Sequence, residues 1–312
     1  MNIYNDFTDL PTSIKKHPAV ITVGVFDGLH MAHRKLLTKV KEYSGKYPKG
    51  ISVIITFRNH PAKILTPEQT PPLLISNQEK VNLLISEGID VVVNINFTHS
   101  FSKITPNIFI NNYLLKYFNI AEIIVGHDHT FGSKSTGNVE LLKEIGKKEG
   151  FKVRSIPPVL YKNQIVSSSL IRELIQQGNI LLATKLLTKF YSISGKVVKG
   201  RQVGQQIGFP TANLQPENEL LPCNGVYAVL VDFDGMRFHG VMNIGNRPTF
   251  NGIEKTYEIH LLNYEGNLYG KKLKITFIAH LRNEIKFSSI DQLVKQIQND
   301  ISKAHKIFLA YS

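Results

Sequence analysis

Apolar runs and segments of helical spacing alternate between residues 19 and 156, and this alternation is typical of βαβ units around a parallel sheet. The runs that predict strands are AVITVGVF (19–26), ISVIITF (51–57), IDVVVNINF (89–97), AEIIVG (121–126) and FKVRSI (151–156). The first part of the chain is therefore predicted to be an α/β domain with a parallel sheet.

Helix signals accompany this pattern. Ser76 with Glu79 three residues later is a capping box, and Thr105 before Pro106 gives an N-cap with proline at the first helical position. The segment RELIQQGNILLATKLL (172–187) has the spacing of one helical run. We expect the domain boundary directly after it, which gives domains of residues 1–187 and 188–312.

After about residue 190 the pattern changes to short β-rich runs separated by Gly, Asn and Asp. These runs are YSISGKVV (191–198), GVYAVLVDF (225–233), MRFHGVMNI (236–244), KTYEIHLLNY (255–264) and KKLKITFIAHL (271–281). Asp234-Gly235 between two of them is a strong hairpin signal. The second domain is predicted to be an antiparallel β-barrel or a sandwich.

The end of the chain returns to helical spacing between Ser289 and Ala310. The apolar side of this segment carries Leu293, Ile297, Ile301 and Phe308. We expect a terminal helix that packs against the barrel.

Composition narrows the class of protein. The chain has 312 residues, of which 42% are hydrophobic and 20% charged, and its mean hydropathy is −0.08; these values argue against wholesale disorder and against an integral membrane protein. No run reaches the roughly 18 apolar residues of a membrane span, and the first twenty residues do not resemble a secretory signal. The single cysteine, Cys223, excludes an internal disulfide and a cysteine-rich zinc site. We expect a soluble, cytosolic protein.

Charge adds a preference for anionic partners. The net charge is +13 and the isoelectric point is about 9.6, which favours nucleotides, phosphorylated metabolites or nucleic acid. The basic residues are spread through the chain, so a solvated surface explains them equally well.

The most informative motif follows the first predicted strand, where Gly24 to His33 reads GVFDGLHMAH. Glycines allow a tight turn into a helix, whose N-terminus binds phosphate through free N–H groups. His30 and His33 are three residues apart, so on the first helical turn both can donate to one phosphate and stabilise its developing charge. Two surface histidines on an amphipathic helix are the alternative interpretation.

This motif resembles the H-x-G-H signature of the nucleotidylyltransferase superfamily, and VGVFDGLH resembles the FAD synthetase half of bacterial bifunctional riboflavin kinase/FMN adenylyltransferases. Three further motifs resemble that family in order: Thr56-Phe57 with His60-Pro61, Val125 to Asp128 with Phe131-Gly132, and Ser168 to Arg172. The resemblance implies a Rossmann-like domain.

Roles follow from that resemblance. Catalysis is expected from His30, His33 and Arg172. Nucleotide contacts are expected from Gly24, Phe26, Gly28, Asp128, Ser168 and Ser169, and flavin contacts from His60 and Asp128. Physically, the two serines are expected to precede and cap a helix while reaching a phosphate, and Arg172 has the planar fork that suits β- and γ-phosphates. Asp128 follows the carboxyl end of a strand, where α/β sheets bind ligands.

A second cluster of glycines opens the β-rich half. Gly195, Gly200, Gly204 and Gly208 surround a loop with Lys199 and Arg201 and precede FPTAN (209–213). Such a loop can direct several N–H groups at phosphate oxygens. Thr211 offers a hydroxyl suited to Mg²⁺, and Asn213 can orient phosphate or the metal. A glycine-rich hairpin without a ligand is the alternative.

This segment resembles the riboflavin kinase domain, as do NIGNRPTF (243–250) and YEIHLL (257–262). The resemblance implies nucleotide contacts by Gly200, Gly204, Gly208 and Asn213, metal contacts by Thr211 and Asn213, and a flavin or phosphate contact by Arg282. It also implies that Glu258 is the general base. A glutamate within an apolar alternating strand agrees with that role, because burying it unpaired is costly.

The whole pattern predicts an enzyme of FAD biosynthesis that uses Mg²⁺ and ATP, converts riboflavin to FMN and FMN to FAD, and has small-molecule partners rather than a membrane or nucleic acid. The sequence departs from the family at Ala32, where the signature has glycine, and at His129, where phenylalanine is usual; Asn59 and Asn283 replace proline, and Ser169 replaces threonine. One alternative is therefore a riboflavin kinase with a weakened or redox-dependent transferase. Another is a basic protein that binds nucleic acid or flavin without catalysis.

Overall fold

The structure, a computed structural model, describes residues 2–200, 204, 207–249 and 252–311. The chain divides into two compact units, Met1–Ser168 and Ser169–Ser312. Arg201 and Phe250 of the predicted motifs lie outside the described residues.

A six-stranded sheet forms the centre of the first unit. Its strands are β1 (Asn2–Tyr4), β2 (Pro18–Val23), β3 (Ile51–Phe57), β4 (Val91–Ile95), β5 (Asn119–Gly126) and β6 (Lys152–Ile156). They are ordered β1-β4-β3-β2-β5-β6, and every pairing is parallel. The predicted parallel α/β domain is confirmed. Only β1 had no sequence signal, because it has three residues.

Helices cover this sheet. They are α1 (Met31–Ser44), α2 (Ala62–Leu65), α3 (Asn77–Ser86), α4 (His99–Ser102), α5 (Pro106–Ile108) and α6 (Val139–Glu149), with a π-helical segment at Phe109–Leu115. The two predicted helix starts are confirmed: Ser76 Oγ accepts from the N–H of Glu79 at 3.2 Å, and Thr105 Oγ1 accepts from the N–H of Ile108 at 3.4 Å.

The segment after the sheet contains a small hairpin and two helices. The hairpin pairs β7 (Leu160–Tyr161) with β8 (Gln164–Ile165). The predicted single helical run is instead α7 (Ser168–Gln176) and α8 (Ile180–Leu187), because Gly178 between them has φ 76°. Ser168 and Ser169 are the first residues of α7 rather than residues that precede it, so that prediction was wrong. Packing groups α8 with the second unit, and the boundary after residue 187 stays a prediction.

The second unit is a closed barrel of six antiparallel strands. These are β9 (Ser192–Val198), β10 (Ala212–Pro216), β11 (Gly225–Phe233), β12 (Met236–Thr249), β13 (Gly252–Leu261) and β14 (Lys272–Arg282), in the order β10-β13-β12-β11-β14-β9. Phe233 pairs with Met236, so Asp234-Gly235 forms the predicted hairpin turn. Of the two predicted architectures, the barrel is confirmed.

The terminal helix α9 (Ile290–Tyr311) agrees with its prediction. Ala304 and Phe308 are buried in a cluster with Val226 and Ile278 of the barrel, and Ile301 packs against that cluster. Ile297 and Leu293, one and two turns before Ile301 on the same apolar side, line a cavity instead. The helix therefore packs against one side of the barrel and forms part of the wall of a cavity.

Candidate active sites

The turn after β2 has an unusual backbone. Phe26, Gly28 and Leu29 have φ values of 53°, 79° and 42°, in the left-handed region that is costly for residues other than glycine. The Phe26 side chain is 1% exposed and packs in the core with Leu29. Any contact between Phe26 and a nucleotide must therefore come from its backbone.

Hydrogen bonds hold this turn in place. The carboxylate of Asp27 accepts from the N–H groups of Leu74 at 3.1 Å and Ile75 at 3.3 Å. Ser168 Oγ donates to the Asp27 carbonyl at 3.0 Å. Asp27 thus joins the turn to two other segments of the same unit, and the Ser168 hydroxyl supports the turn.

His30 and His33 meet at the start of α1. His30 is the N-cap of this helix, and its Nδ1 accepts from the His33 N–H at 3.4 Å. Since Nδ1 accepts, the neutral His30 ring carries its hydrogen on Nε2. The two rings stack at a centroid distance of 3.6 Å. Burial, together with the charges of His30 and Lys80, holds the pKa of His33 well below its usual value, so the His33 ring is neutral at neutral pH.

A cavity of about 250 Å³ adjoins these rings and is called the histidine cavity here. Its walls include His30, Ala32, His33, Gly126, Asp128 and Ser168. It thus combines the N-terminus of α1 with the carboxyl end of β5, as expected for a phosphate site in an α/β sheet. The methyl group of Ala32, at the position of the signature's glycine, belongs to this wall.

A larger cavity of about 700 Å³, the aromatic cavity, lies at the same edge of the sheet. Its lining includes Phe57, Phe97, Phe101, Phe109, Phe131, Gly24, Asp128 and His129. Asp128 lines both cavities, and its side chain is 82% exposed. An aromatic-lined cavity that shares Asp128 with a cavity at a helix N-terminus suits an aromatic ligand that carries a phosphate.

His129 does not bring a titrating group into the aromatic cavity. Burial lowers its pKa to about 4, although the nearby Asp128 raises it. Its ring stacks on Phe131 at a centroid distance of 5.8 Å. The ring is therefore neutral at neutral pH, because desolvation outweighs the neighbouring carboxylate.

His60 and Asn59 follow β3. Pro61 and Leu65 line the aromatic cavity, whereas His60 Nδ1 accepts from the N–H of Ala62 at 3.2 Å. The Asn59 side chain both donates to the carbonyl and accepts from the N–H of Phe97 at 2.8 Å. Asn59 therefore ties the loop after β3 to the loop after β4. The predicted flavin contact of His60 stays a prediction.

Ser169 and Arg172 belong to the second compact unit. Ser169 is exposed in the first turn of α7, and Arg172 is buried one turn later. Their predicted roles toward the nucleotide stay predictions.

In the barrel, three polar side chains form a row across neighbouring strands. Asn213 of β10 pairs with Glu258 of β13, which pairs with Asn243 of β12; directly paired residues share one face of a sheet. Burial raises the pKa of Glu258, and the nearby Arg247 opposes that rise. A carboxylate with a raised pKa is a better proton acceptor at neutral pH than an ordinary glutamate.

Two cavities adjoin this row. The glycine-loop cavity, of about 610 Å³, is lined by residues that include Lys199, Gly200, Thr211, Asn213, Tyr264 and Tyr269. The glutamate cavity, of about 310 Å³, is lined by residues that include Gly204, Thr211, Asn243, Glu258, Arg282 and Phe287. Thr211 lines both cavities. A phosphoryl donor in one cavity and an acceptor in the other would therefore meet near Thr211 and Glu258.

The glycines of the loop have different functions. A Cβ on Gly200 would collide with the Asn213 side chain, and a Cβ on Gly204 would collide with the Phe209 carbonyl. Gly208 has φ 83° and open space around it. The first two glycines thus allow a close approach, and the third permits a left-handed turn.

Arg282 already has a strong partner. Its Nε donates to Asp300 Oδ2 at 2.9 Å, and its terminal nitrogen lies 2.8 Å from the same carboxylate oxygen. Asp300 is buried on α9 and also accepts from Gln296 Nε2 at 2.8 Å. Arg282 therefore secures the wall of the glutamate cavity to the terminal helix, and its predicted contact with flavin or phosphate stays a prediction. Asp300 was not predicted, because it gains its position through a distant partner, and Asn243 was noted only as the first residue of the motif NIGNRPTF (243–250), without a role.

Comparison with known proteins agrees with this division. A family model described as FAD synthetase matches residues 12–170, and one described as Riboflavin kinase matches residues 187–308. Proteins called bifunctional riboflavin kinase/FMN adenylyltransferase are similar over nearly the whole chain. The protein of Buchnera aphidicola subsp. Schizaphis graminum is 40% identical, over 93% of this chain and 94% of its own, and that of Escherichia coli K12 is 35% identical, over 93% and 92%.

A solved structure is also similar. The crystal structure titled Macrolide-efflux Protein from Streptococcus pneumoniae has a TM-score of 0.84 and 28% identity, and covers 97% of this chain and 98% of its own. Among the residues that the structure describes here, no helix has both the length and the apolar character for crossing a membrane.

Proposed function

This chain belongs to the family of bifunctional riboflavin kinase/FMN adenylyltransferases, and we propose that its residues divide the two reactions between the two units as follows. It is an enzyme of FAD biosynthesis, which phosphorylates riboflavin to FMN and adenylylates FMN to FAD. The observation that carries the residue assignment is that each unit has paired cavities joined at a polar residue, Asp128 in one and Thr211 in the other.

In the barrel, Glu258 accepts the proton of the 5′-hydroxyl of riboflavin, and that oxygen attacks the γ-phosphorus of ATP. The bond between the γ-phosphorus and the bridging oxygen breaks, and ADP leaves with the electron pair. Riboflavin occupies the glutamate cavity, and ATP occupies the glycine-loop cavity. The placement of Glu258 between Asn213 and Asn243 supports this assignment, because both amides can orient the reacting oxygens.

The barrel site also fits Mg²⁺. Thr211 and Asn213 offer a hydroxyl and an amide carbonyl, which are hard oxygen ligands of the kind that this ion binds. The absence of a Cβ at Gly200 leaves room for the Asn213 side chain beside the loop. We assign Thr211 and Asn213 as the residues that hold the ion. When bound, Mg²⁺ neutralises charge on the β- and γ-phosphates.

In the first unit, a phosphate oxygen of FMN attacks the α-phosphorus of ATP. The bond to the β-phosphate's bridging oxygen breaks, pyrophosphate leaves, and FAD forms without a covalent enzyme intermediate. The isoalloxazine ring occupies the aromatic cavity, and the reacting phosphates occupy the histidine cavity. His30 Nε2–H and the N-terminus of α1 stabilise the charge that develops at the α-phosphate. His33 packs against His30 and orients it.

The alternative of a weakened transferase rests on the departures at residues 32, 59 and 129. The contacts of the side chains at residues 59 and 129 account for two of these departures. Asn59 bonds to the Phe97 backbone, and His129 is a neutral ring stacked on Phe131. Neither places an unpaired charge in the aromatic cavity, so we propose that both reactions proceed.

The deciding experiment incubates the purified protein with riboflavin, ATP and Mg²⁺ and separates riboflavin, FMN and FAD by chromatography. A second reaction starts from FMN. We expect FAD from both starting points. FMN without FAD, even from reduced flavin, would leave only the kinase, and the absence of any flavin product would reject both assignments. A cytosolic location belongs to this proposal, since ATP is a substrate of both steps.

A further inference from the structure

Lys80 is a charged side chain inside the first unit that the reactions described above do not use. It lies on α3 and is 6% exposed. Its Nζ donates to the carbonyl of Val25 at 3.3 Å and to the carbonyl of Phe57. Phe57 is the last residue of β3, and Val25 follows the end of β2. The ammonium group therefore joins the carboxyl ends of two central strands.

Other polar groups surround this position. Thr56 Oγ1 also donates to the Val25 carbonyl, at 3.2 Å. Thr56 pairs with Asn94 of β4, so both side chains point to the same face of the sheet. Asn94 Oδ1 is buried, and no hydrogen-bond partner for it is found among the described residues. The apolar core thus gives way to a polar layer directly beneath the turn that leads to His30.

Burial of an amine is costly, and replacement of buried charges by apolar residues is often neutral or stabilising. Desolvation lowers the pKa of Lys80 to about 8, and the charge of Asp27 opposes this shift. Asp27 belongs to the turn that contains the left-handed residues Phe26 and Leu29. Such backbone strain persists only where the surroundings hold it in place, and Lys80 bonds to the turn one residue before Phe26.

We propose that Lys80 is a positioning residue for adenylyl transfer, which holds the turn between Val25 and His30 so that His30 caps α1 and stacks on His33. This inference rests on the proposed function of the histidine pair. Lys80 acts through the backbone carbonyl of Val25, and its charge also favours the neutral form of the His33 ring.

The test compares Lys80→Met with the same change at the exposed Lys143, on α6 of the same unit. FAD formation from supplied FMN is measured at varied ATP. FMN formation from riboflavin, measured with the same protein preparations, reports on the barrel. We expect Lys80→Met to lower kcat for FAD formation by about tenfold or more, because a displaced catalytic group slows the chemical step. The KM for ATP changes much less, FMN formation is retained, and Lys143→Met behaves as the unchanged protein.

A second readout is the ionisation of the His33 ring, followed by NMR and assigned with His33→Asn. The groups that face it are His30 and Lys80, with His127 and Asp128 in the same cavity. Removal of the Lys80 charge is expected to raise the pKa of His33 toward its ordinary value. Removal of an exposed charge in Lys143→Met is expected to leave this titration unchanged.

Thr56→Val provides a second variant if Lys80→Met fails to fold, because it removes another donor to the Val25 carbonyl at nearly constant volume. We expect a smaller loss of kcat in the same direction, and partial rescue in Lys80→Arg. Unchanged FAD kinetics in Lys80→Met, or in Thr56→Val where the first variant is unfolded, overturns the inference. If His30→Ala also retained FAD formation, the proposed function of the histidine pair would fail instead.

Discussion

At the scale of single residues, Glu258 is the clearest test of the kinase assignment. Replacement by glutamine keeps the size of the side chain and removes its ability to accept a proton. We expect Glu258→Gln to slow FMN formation by about 10²- to 10⁴-fold, the usual contribution of a general base. FAD formation from supplied FMN serves as the control in the same sample and is expected to be unchanged.

The same residue predicts a dependence on pH. Because burial raises the pKa of Glu258 above its ordinary value of 4.5, its carboxylate becomes protonated at a higher pH than an exposed glutamate. The kinase rate should therefore fall as the pH falls through this raised pKa. If the residual kinase rate of Glu258→Gln falls in the same way at low pH, then another group accepts the proton.

Substitution can separate the observed role of His30 as an N-cap from its proposed role in adenylyl transfer. It caps α1 through Nδ1, and its Nε2–H is assigned to the α-phosphate. His30→Asn restores a good N-cap, whereas His30→Ala removes the cap at a cost of about 1 kcal/mol. We expect both variants to lower FAD formation by about 10²- to 10³-fold, as the loss of one donor to a developing charge does.

Stability and activity then distinguish the two functions. Thermal unfolding of the first unit should be weakened in His30→Ala and largely restored in His30→Asn. Recovery of FAD formation in His30→Asn would mean that only the cap matters. FMN formation from riboflavin is the control in both variants.

At the scale of secondary-structure elements, most strands were predictable from the apolar pattern. β3, with residues Ile51–Phe57, and β11, with residues Gly225–Phe233, have the predicted bounds. β10 was not predicted, since its segment ANLQP contains few apolar residues and is held by pairing with β9 and β13. The segment 172–187 was predicted as one helix because the spacing of its apolar residues continues past Gly178. The backbone turns at Gly178, which has φ 76°, and the segment therefore forms two helices.

Functional residues, like strands, were predictable where a recognisable sequence pattern marks them. His30, Asp128 and Glu258 lie in recognisable motifs, and the structure places each beside a cavity. Lys80 was missed, although it precedes Leu84 by four residues and so occupies the apolar side of α3. A charged residue at such a position is the signal that could have found it. The pKa of His129 could not be predicted, because it depends on burial rather than on residue type.

Closure of the barrel gives a prediction at this scale. Gly195 of β9 pairs with Pro216 of β10 and Leu273 of β14, and a Cβ there would collide with the Gln215 carbonyl. Gly195→Ala should destabilise the barrel by about 1–3 kcal/mol, as overpacking of a core does. Gly240→Ala in β12 is the control, since its Cβ would lie 3.1 Å from the His260 carbonyl.

The measurement is the temperature of half-inactivation of each reaction. Gly195→Ala should lower this temperature for FMN formation more than Gly240→Ala does. FAD formation from supplied FMN should be affected little by either change. Equal effects of the two changes would show that the strand at Gly195 adjusts without strain.

At the scale of the whole molecule, the four cavities are divided between the units. The residues that line the histidine and aromatic cavities all lie before residue 169, and those that line the two barrel cavities all lie after it. Family models of the two activities match the chain in the same order. We therefore expect that a substitution can inactivate one unit and leave the other active. FMN connects the two reactions, because the kinase forms it and the transferase consumes it.

This division predicts that two inactive variants complement each other in solution. We expect Glu258→Gln to lack the kinase but retain the transferase, and His30→Ala to have the reverse defect. With riboflavin, ATP and Mg²⁺, neither variant alone should form FAD at a substantial rate. An equimolar mixture should form it, because the FMN released by one protein binds to the other. The chromatogram should show FMN first and FAD after a lag that shortens as the protein concentration rises. Each variant is first checked for its remaining half-reaction, with riboflavin or with FMN as the substrate. If FMN formation by His30→Ala stops at about one FMN per protein molecule and the mixture forms no FAD, then FMN is not released between the two steps, and the two sites must act on it within a single molecule.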